Sequence, residues 1–412
     1  MPQGPHRRTV LRAFAATATA LTLPKLLAGC SGPGGATGSL AAGGGGTARD
    51  PVKIALLLPT TADPQTAAIA KAMKQAAELA LFDINNAGLQ LIVKDDRGTE
   101  AGARTAATEA IAAGAEIILG PLFSRSAAAI APLARQANVP IISFSNDRTI
   151  AGNGVYLLSF LHDQEVSRII SFAAAQGRSR VVALLPKDAL GDQLDQSLRA
   201  AVSRSGSTLV AVERYAPNTT AILDPAKRIS EAIKAAQSSG AAVDALFLPG
   251  TPDTLQMVAP FIPYLGIDTQ TVRLLGTSGW DTPVTTRDRS FAGGWFAAPN
   301  PRGWQTFSEK FAKSYRSPPP RLASLANDAM VIAGALAAAP RGSRYTAANL
   351  TRANGFTGTD GPFRLLPSGL VERELAVLEV RPGGHAIIEA SPSQPVRLQT
   401  SALTERRSLF NP

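Results

Sequence analysis

The chain has 412 residues and a single cysteine, Cys30, so no disulfide can form within it and the body must be held by burial alone. Histidine is nearly as scarce. Beyond the first 29 residues there are only His162 and His385, and neither lies in a cluster with metal-ligand spacing. Lys and Arg are never grouped with interleaved aromatics, which excludes the usual nucleic-acid footprint. No P-loop occurs. Gly276-x-Ser278-Gly279 fails as a nucleophile elbow because its second glycine comes one residue early. Asp95-Asp96, at the end of a predicted strand, reads as a cap for the next helix rather than as a general-base pair. These absences point away from an enzyme: no catalytic residue, metal or cofactor is expected.

What is present begins with HRRTVLRAFAATATALTLPKLLAG, a basic start followed by a short Ala/Leu/Thr segment and small residues. That is the layout of an export signal over residues 1–29. The apolar segment is too short to span a ~30 Å hydrocarbon core comfortably. Leu27-Ala28-Gly29-Cys30 resembles the bacterial lipobox, which implies that Cys30 is acylated and becomes the first residue of the mature protein. Arg7-Arg8 resembles a twin-arginine export signal. Ser31 is not the aspartate that retains enteric lipoproteins in the inner membrane, so a periplasmic protein anchored in the outer membrane is slightly favoured over the inner. Residues 30–50 then form a Gly/Ser-rich tether that cannot bury a core. About 20 such residues have an r.m.s. reach of only ~25 Å. Loss of the signal removes four basic residues and no acidic one, so the net charge falls from +10 to +6, a balance suited to an anionic envelope surface.

The remaining body alternates apolar runs with helical patterns. VKIALLLP (52–59) is uninterrupted, the mark of a strand buried on both faces. Residues 66–85 place Ile69, Met73, Ala76, Ala77 and Leu81 at helical spacing. LQLIVKDD, EIILGP, VPIISFS and YLLSF continue the strands with helices between them. After residue 162 the pattern restarts with RVVALLP, TLVAVERY, DALFLPG and VRLLGTS. The spacing predicts an α/β fold of two doubly wound lobes with parallel sheets. FRLLPSGLVERELAVLEV predicts an antiparallel hairpin turning at Pro367-Ser368-Gly369.

From Val52 to about Glu389 the chain resembles the type I periplasmic solute-binding proteins of the leucine/isoleucine/valine-binding family, through KIALLLP, GPLFSRS, VPIISFSND, GNGVYLLSF and TDGPFRLLPSGLVERELAVLEV. Among relatives, GPLFSRSAAAIAP with SFSNDRTIAGNGVYLLSFL is most similar to the lipoproteins called penicillin-binding protein activators. The resemblance implies two Rossmann-like lobes joined by a three-segment hinge. Lobe one is expected at 51–161 plus 299–352 and lobe two at 162–298 plus 357–390, with a tail at 391–412 and a third crossing near 353–358.

Ligands of open parallel sheets bind beyond the carboxyl ends of the strands. The serines of Gly120–Ser126, before a predicted helix, suit helix caps with anion-binding N–H groups beside them. By resemblance, Ser124, Ser126, Ser145 and Asp147 hold a ligand carboxylate in the interlobe cleft. Thr251 and Ser278 then stand where lobe two supplies an aromatic wall and the acidic partner of an ammonium. Ser278 carries no charge, and Asp281 is three positions out of place. A buried ammonium without its partner costs about 3–5 kcal/mol, so ordinary branched-chain amino acid binding is not expected. Trp280 is read as core.

The function implied is a non-catalytic lipoprotein that binds a small polar, amino-acid-like solute for uptake through an ABC permease. The alternative is a regulator of peptidoglycan synthesis that uses the same fold to contact a synthase. The partners implied are therefore a small-molecule ligand, a permease or synthase, and a membrane reached through the lipid anchor, without nucleic acid.

Overall fold

The computed structural model describes residues 51–216, 219–264 and 267–391. The expected signal, the acylated Cys30, the tether and the tail beyond 391 lie outside the described residues.

The first lobe is built on five parallel strands, β1 (Val52–Leu58), β2 (Leu89–Asp95), β3 (Ile117–Leu119), β4 (Ile141–Ser143) and β5 (Val155–Leu157), in the order β2-β1-β3-β4-β5. The unbroken apolar run of β1 follows from its place inside this sheet. Ile54, Leu56 and Leu58 point into one core, while Ala55 and Leu57 point into another on the opposite face. Helices Pro64–Ile84 and Ala323–Leu336 cover the first face, and Glu100–Ala112 and Ser124–Gln136 cover the second.

Helix Pro64–Ile84 starts where Asp63 accepts a hydrogen bond from Thr66 N at 3.0 Å and Pro64 fixes the first turn. Its inward face is Met73 with Ala70, Ala76, Ala77 and Ala80, alanines that admit a second helix closely. A Cβ on Gly334 of that second helix would lie 2.6 Å from Ile84 Cδ1.

The second lobe repeats the parallel order with β6 (Arg180–Pro186), β7 (Thr208–Tyr215), β8 (Ala245–Phe247), β9 (Arg273–Gly276) and β10 (Trp295–Ala298). Three short strands follow, β11 (Phe356–Gly358), β12 (Gly361–Leu365) and β13 (Val371–Arg373), and then β14 (Ala376–Arg381) and β15 (Gly384–Glu389). The second sheet runs β15-β14-β10-β9-β8-β6-β7. It is mixed rather than wholly parallel, because β14 pairs antiparallel with both β10 and β15. Trp280 is fully buried against Phe291, with its Nε1 donating to Leu248 O at 2.9 Å, and is core as expected.

The C-terminal segment departs from the expected boundaries. β11–β13 form a separate antiparallel sheet in which Leu365 faces Val371 across the Pro367–Gly369 turn. Phe356, Phe363, Leu365 and Val371 all bury in the core of the first lobe, not the second. The chain joins the second sheet only at Ala376, so the third crossing lies at 373–376, about 20 residues later than expected. The alternation of β12 and β13 gathers Phe363, Leu365 and Val371 on one face, and that face packs into the first core. Gln164 then ties the crossings together, donating to Val371 O and accepting from Arg373 N at 3.0 Å.

Candidate functional site

The carboxyl ends of the second sheet's parallel strands open on a cavity of about 490 Å³ that is closed from the other side by the first lobe. Loops after β8 and β9 contribute Thr251 and Ser278, and helix Ala189–Ser205 contributes Leu190 and Leu194. From the first lobe come Phe160, Trp304, Arg321 and Leu322. The volume and the mainly apolar wall with a few polar groups are those of a small-molecule site.

Ser278 does not face the cavity alone. Its Oγ donates to Glu165 Oε1 at 2.6 Å and its N–H to Glu165 Oε2 at 3.3 Å. Glu165 sits in the first turn of helix His162–Ala175 and is almost wholly buried. Sequence reasoning missed it, because a carboxylate arriving from another element 113 residues away leaves no local signal at Ser278. His162, also lining the cavity, lies with Nδ1 3.5 Å from Glu165 Oε2. Burial works against its proton, but the hydrogen bond and charge of Glu165, with Asp163, outweigh that and raise its pKa.

Asp281 also lines the cavity, contrary to the spacing argument, because Ser278–Trp280 forms a 3₁₀ turn that swings it round. It is occupied as well: its Oδ1 is 3.2 Å from His385 Nδ1. Asp281 at this wall and Glu165 behind Ser278 therefore both have partners already. Thr251 accepts from Thr254 N at 3.4 Å as the N-cap of helix Pro252–Val258. On the first-lobe side, the Arg321 guanidinium packs over the Trp304 ring at 4.4 Å and the Phe160 ring at 5.3 Å.

The four residues expected from the first lobe gather elsewhere. Ser124, Ser126, Ser145 and Asp147 do not line this cavity. They lie together at the carboxyl edge of β3 and β4, where Asp147 accepts from Thr149 N at 3.0 Å and from Thr149 Oγ1 at 2.7 Å. These Thr149 bonds, aided by one from Ser124, hold the Asp147 carboxyl below its ordinary range despite partial burial. Ser145 Oγ accepts from Asp147 N at 3.1 Å. The serines are not the helix cap: Phe123 occupies that position without a side-chain bond, Ser124 is the first helical residue, and Ser126 Oγ is buried without a hydrogen-bond partner. Gly120 allows the turn here, since φ is 96° and a Cβ would lie 2.2 Å from Leu57 O.

The neighbouring Asp95-Asp96 pair also serves the edge rather than capping the next helix, whose N-cap is Thr99. Asp95 accepts from Thr60 N and Arg97 N, both at 2.9 Å. Asp96 accepts from Gly98 N at 2.8 Å, while its Oδ2 is buried without a partner. Burial pushes the Asp96 carboxyl up to about 6, against the Gly98 bond and with help from the Asp95 charge. A raised carboxylate pKa means the folded state holds the proton more tightly. Its contribution is then complete below the unfolded value near 4 and is lost as pH rises through about 6. Asp96→Asn is expected to flatten this slope and to be more stable than the parent at pH 7.5 by on the order of 1–3 kcal/mol. Urea titrations from pH 4 to 8 check it, and parallel curves would refute it.

Among the described residues, no group of three or more His, Cys, Asp or Glu side chains could hold a metal ion. Among the same residues, no helix is long and apolar enough to cross a membrane.

Residues 51–385 match the family described as periplasmic binding protein. The chain belongs to this family. The solved structures agree on its two-lobed type I fold. A Rhodospirillum rubrum protein described as a putative branched-chain amino acid ABC transporter is 20% identical, covers 82% of this chain and 100% of its own, and superposes with a TM-score of 0.69. An ABC transporter solute-binding protein from Rhodopseudomonas palustris, solved with 3,4-dihydroxybenzoic acid, is 19% identical with 83% and 97% covered and a TM-score of 0.57. A curated protein of Rickettsia prowazekii is 24% identical over 231 residues, which is 56% of this chain and 61% of that one. The chain thus spans about three-fifths of the curated relative it matches. Family membership makes the chain a periplasmic binding protein and implies a periplasmic location.

Proposed function

We propose that this binding protein delivers a small organic acid with an apolar body to an ABC permease, and that the acid sits in the cavity between the lobes. The interlobe cavity carries this reading: its wall is mainly apolar, the Arg321 guanidinium lines it while also contacting Asp360, and Glu165 and Asp281 are already paired. The expected amino-acid-like solute is thereby narrowed to one with a carboxylate and no ammonium. Relatives of this fold solved with an aromatic acid lend support. Ser124, Ser126, Ser145 and Asp147 then organise the first-lobe edge, while Thr251 and Ser278 touch the solute. On this reading Cys30 anchors the protein by its acyl group within reach of the permease.

Calorimetry with benzoate and 4-methylpentanoate tests the proposal. Micromolar binding is expected, weakened at least about thirtyfold in Arg321→Met, because an unpaired buried charge costs 2 kcal/mol or more. Unchanged affinity in that variant would remove Arg321 from the site.

The second reading, regulation of peptidoglycan synthesis, draws support from the first-lobe edge. Asp95 and Asp147 there are engaged by their own loops. Silence toward both acids, together with recovery of the acylated protein in the outer membrane, would favour it. Recovery only in the inner membrane would end it.

A further inference from the structure

Arg321 belongs to a second arrangement besides the cavity. Its Nη2 lies 2.5 Å from Asp360 Oδ1, in the turn between β11 and β12. The Phe160 ring against which it packs is shared with Arg373, whose guanidinium is 5.2 Å from the same centre. Arg373 Nη1 in turn lies 3.6 Å from Asp328 Oδ2. Asp328 and Asp360 are fully buried and Arg373 is 7% exposed. Two cations and two anions therefore balance across one aromatic ring, just before the chain enters helix His162–Ala175. Ser324 Oγ donates to Asp360 at 2.8 Å and Thr359 N to Asp328 at 2.6 Å, but Asp328 Oδ2 and Asp360 Oδ1 have no hydrogen bond. The set is electrically neutral and has little spare hydrogen bonding, so one further charge cannot be absorbed without a response.

We propose that ligand capture is coupled to uptake of a proton: a bound carboxylate draws on the Arg321 guanidinium that Asp360 positions, and Asp328 answers the added negative charge by taking a proton from solvent. The inference rests on the carboxylate reading of the cavity. Its chain of cause is electrostatic. A carboxylate at Arg321 reduces that cation's hold on Asp360, so the field of Asp360 on Asp328 is left less compensated, and a neutral Asp328 restores the balance. Burial already raises the Asp328 carboxyl above its ordinary range, against the pull of Arg373 and with the push of Asp360. The opposite wall presents His162, beside Glu165 and Asp163, and the Asp281–His385 pair. Of these, His162 is the competing proton acceptor.

The test is calorimetry of 4-methylpentanoate binding to the full chain, between pH 5.5 and 7.5, in buffers of different ionisation enthalpy. Up to one proton should be taken up, and affinity should strengthen as pH falls, by at most tenfold per unit. Both effects should persist in His162→Gln and vanish in Asp328→Asn, which should bind with a pH-independent affinity. Should Asp328→Asn fail to fold, Asp360→Asn serves as the second variant and should also blunt the pH dependence. Binding without proton uptake overturns the coupling alone. Uptake that survives in Asp328→Asn or disappears in His162→Gln overturns it as well. Absence of any acid binding overturns the carboxylate reading and the coupling together.

Discussion

Replacing Arg373 by methionine is expected to cost about 3–5 kcal/mol of stability, because it strands a buried charge. Asp328 is fully buried, and Arg373 is its only cationic neighbour at 3.6 Å among the described residues. Methionine keeps much of the side-chain volume, so the loss reports charge and not a cavity. It also gives up the guanidinium's packing on Phe160 at 5.2 Å and Phe363 at 5.0 Å, worth about 0.5–2 kcal/mol by itself. The loss should be larger at pH 7.5 than at pH 5, since the Asp328 carboxyl titrates above its ordinary range and can neutralise itself at the lower pH. Adding Asp328→Asn to the same chain should restore most of the stability. Urea denaturation of the two variants is the check. A single variant less than about 1 kcal/mol below the parent would show that the pair is not a charged one.

The second large effect concerns the ligand. Leucine and 4-methylpentanoate differ by one ammonium group, and the cavity has no uncommitted carboxylate to receive it. Glu165 is bonded to Ser278 at 2.6 Å and Asp281 sits 3.2 Å from His385. An ammonium buried there without a partner costs about 3–5 kcal/mol, so the acid should bind at least about a hundredfold more tightly than the amino acid. Calorimetry under identical conditions decides it. Equal affinities, or a preference for leucine, would mean that Asp281 exchanges His385 for the ligand.

The body's architecture was largely written along the chain. The run VKIALLL could only be a strand covered on both sides, and it is. The Pro367–Gly369 turn and its two flanking strands were equally local, set by turn chemistry and short-range pairing. Strand β10 was not recognised, because Trp295–Ala298 is four apolar residues with no alternation to mark it. The destination of β11–β13 was also missed. Period-two alternation shows which face of a strand is apolar, but not which of two cores receives it.

The candidate site divides in the same way. Thr251 and Ser278, named by family resemblance, line the interlobe cavity, whereas Asp147, named in the same way, bonds to Thr149 at the first-lobe edge. Glu165 and the Arg321–Asp360 contact bring together residues 113 and 39 positions apart, respectively, and no spacing rule connects them.

By itself, then, the sequence determined the repeating α/β pattern and the division into two lobes. These follow from burial periodicity, a property of neighbours along the chain. The tertiary structure alone decided which charges are already partnered and where the third crossing falls. Charge compensation depends on distances between segments, and those exist only once the two lobes have folded and met.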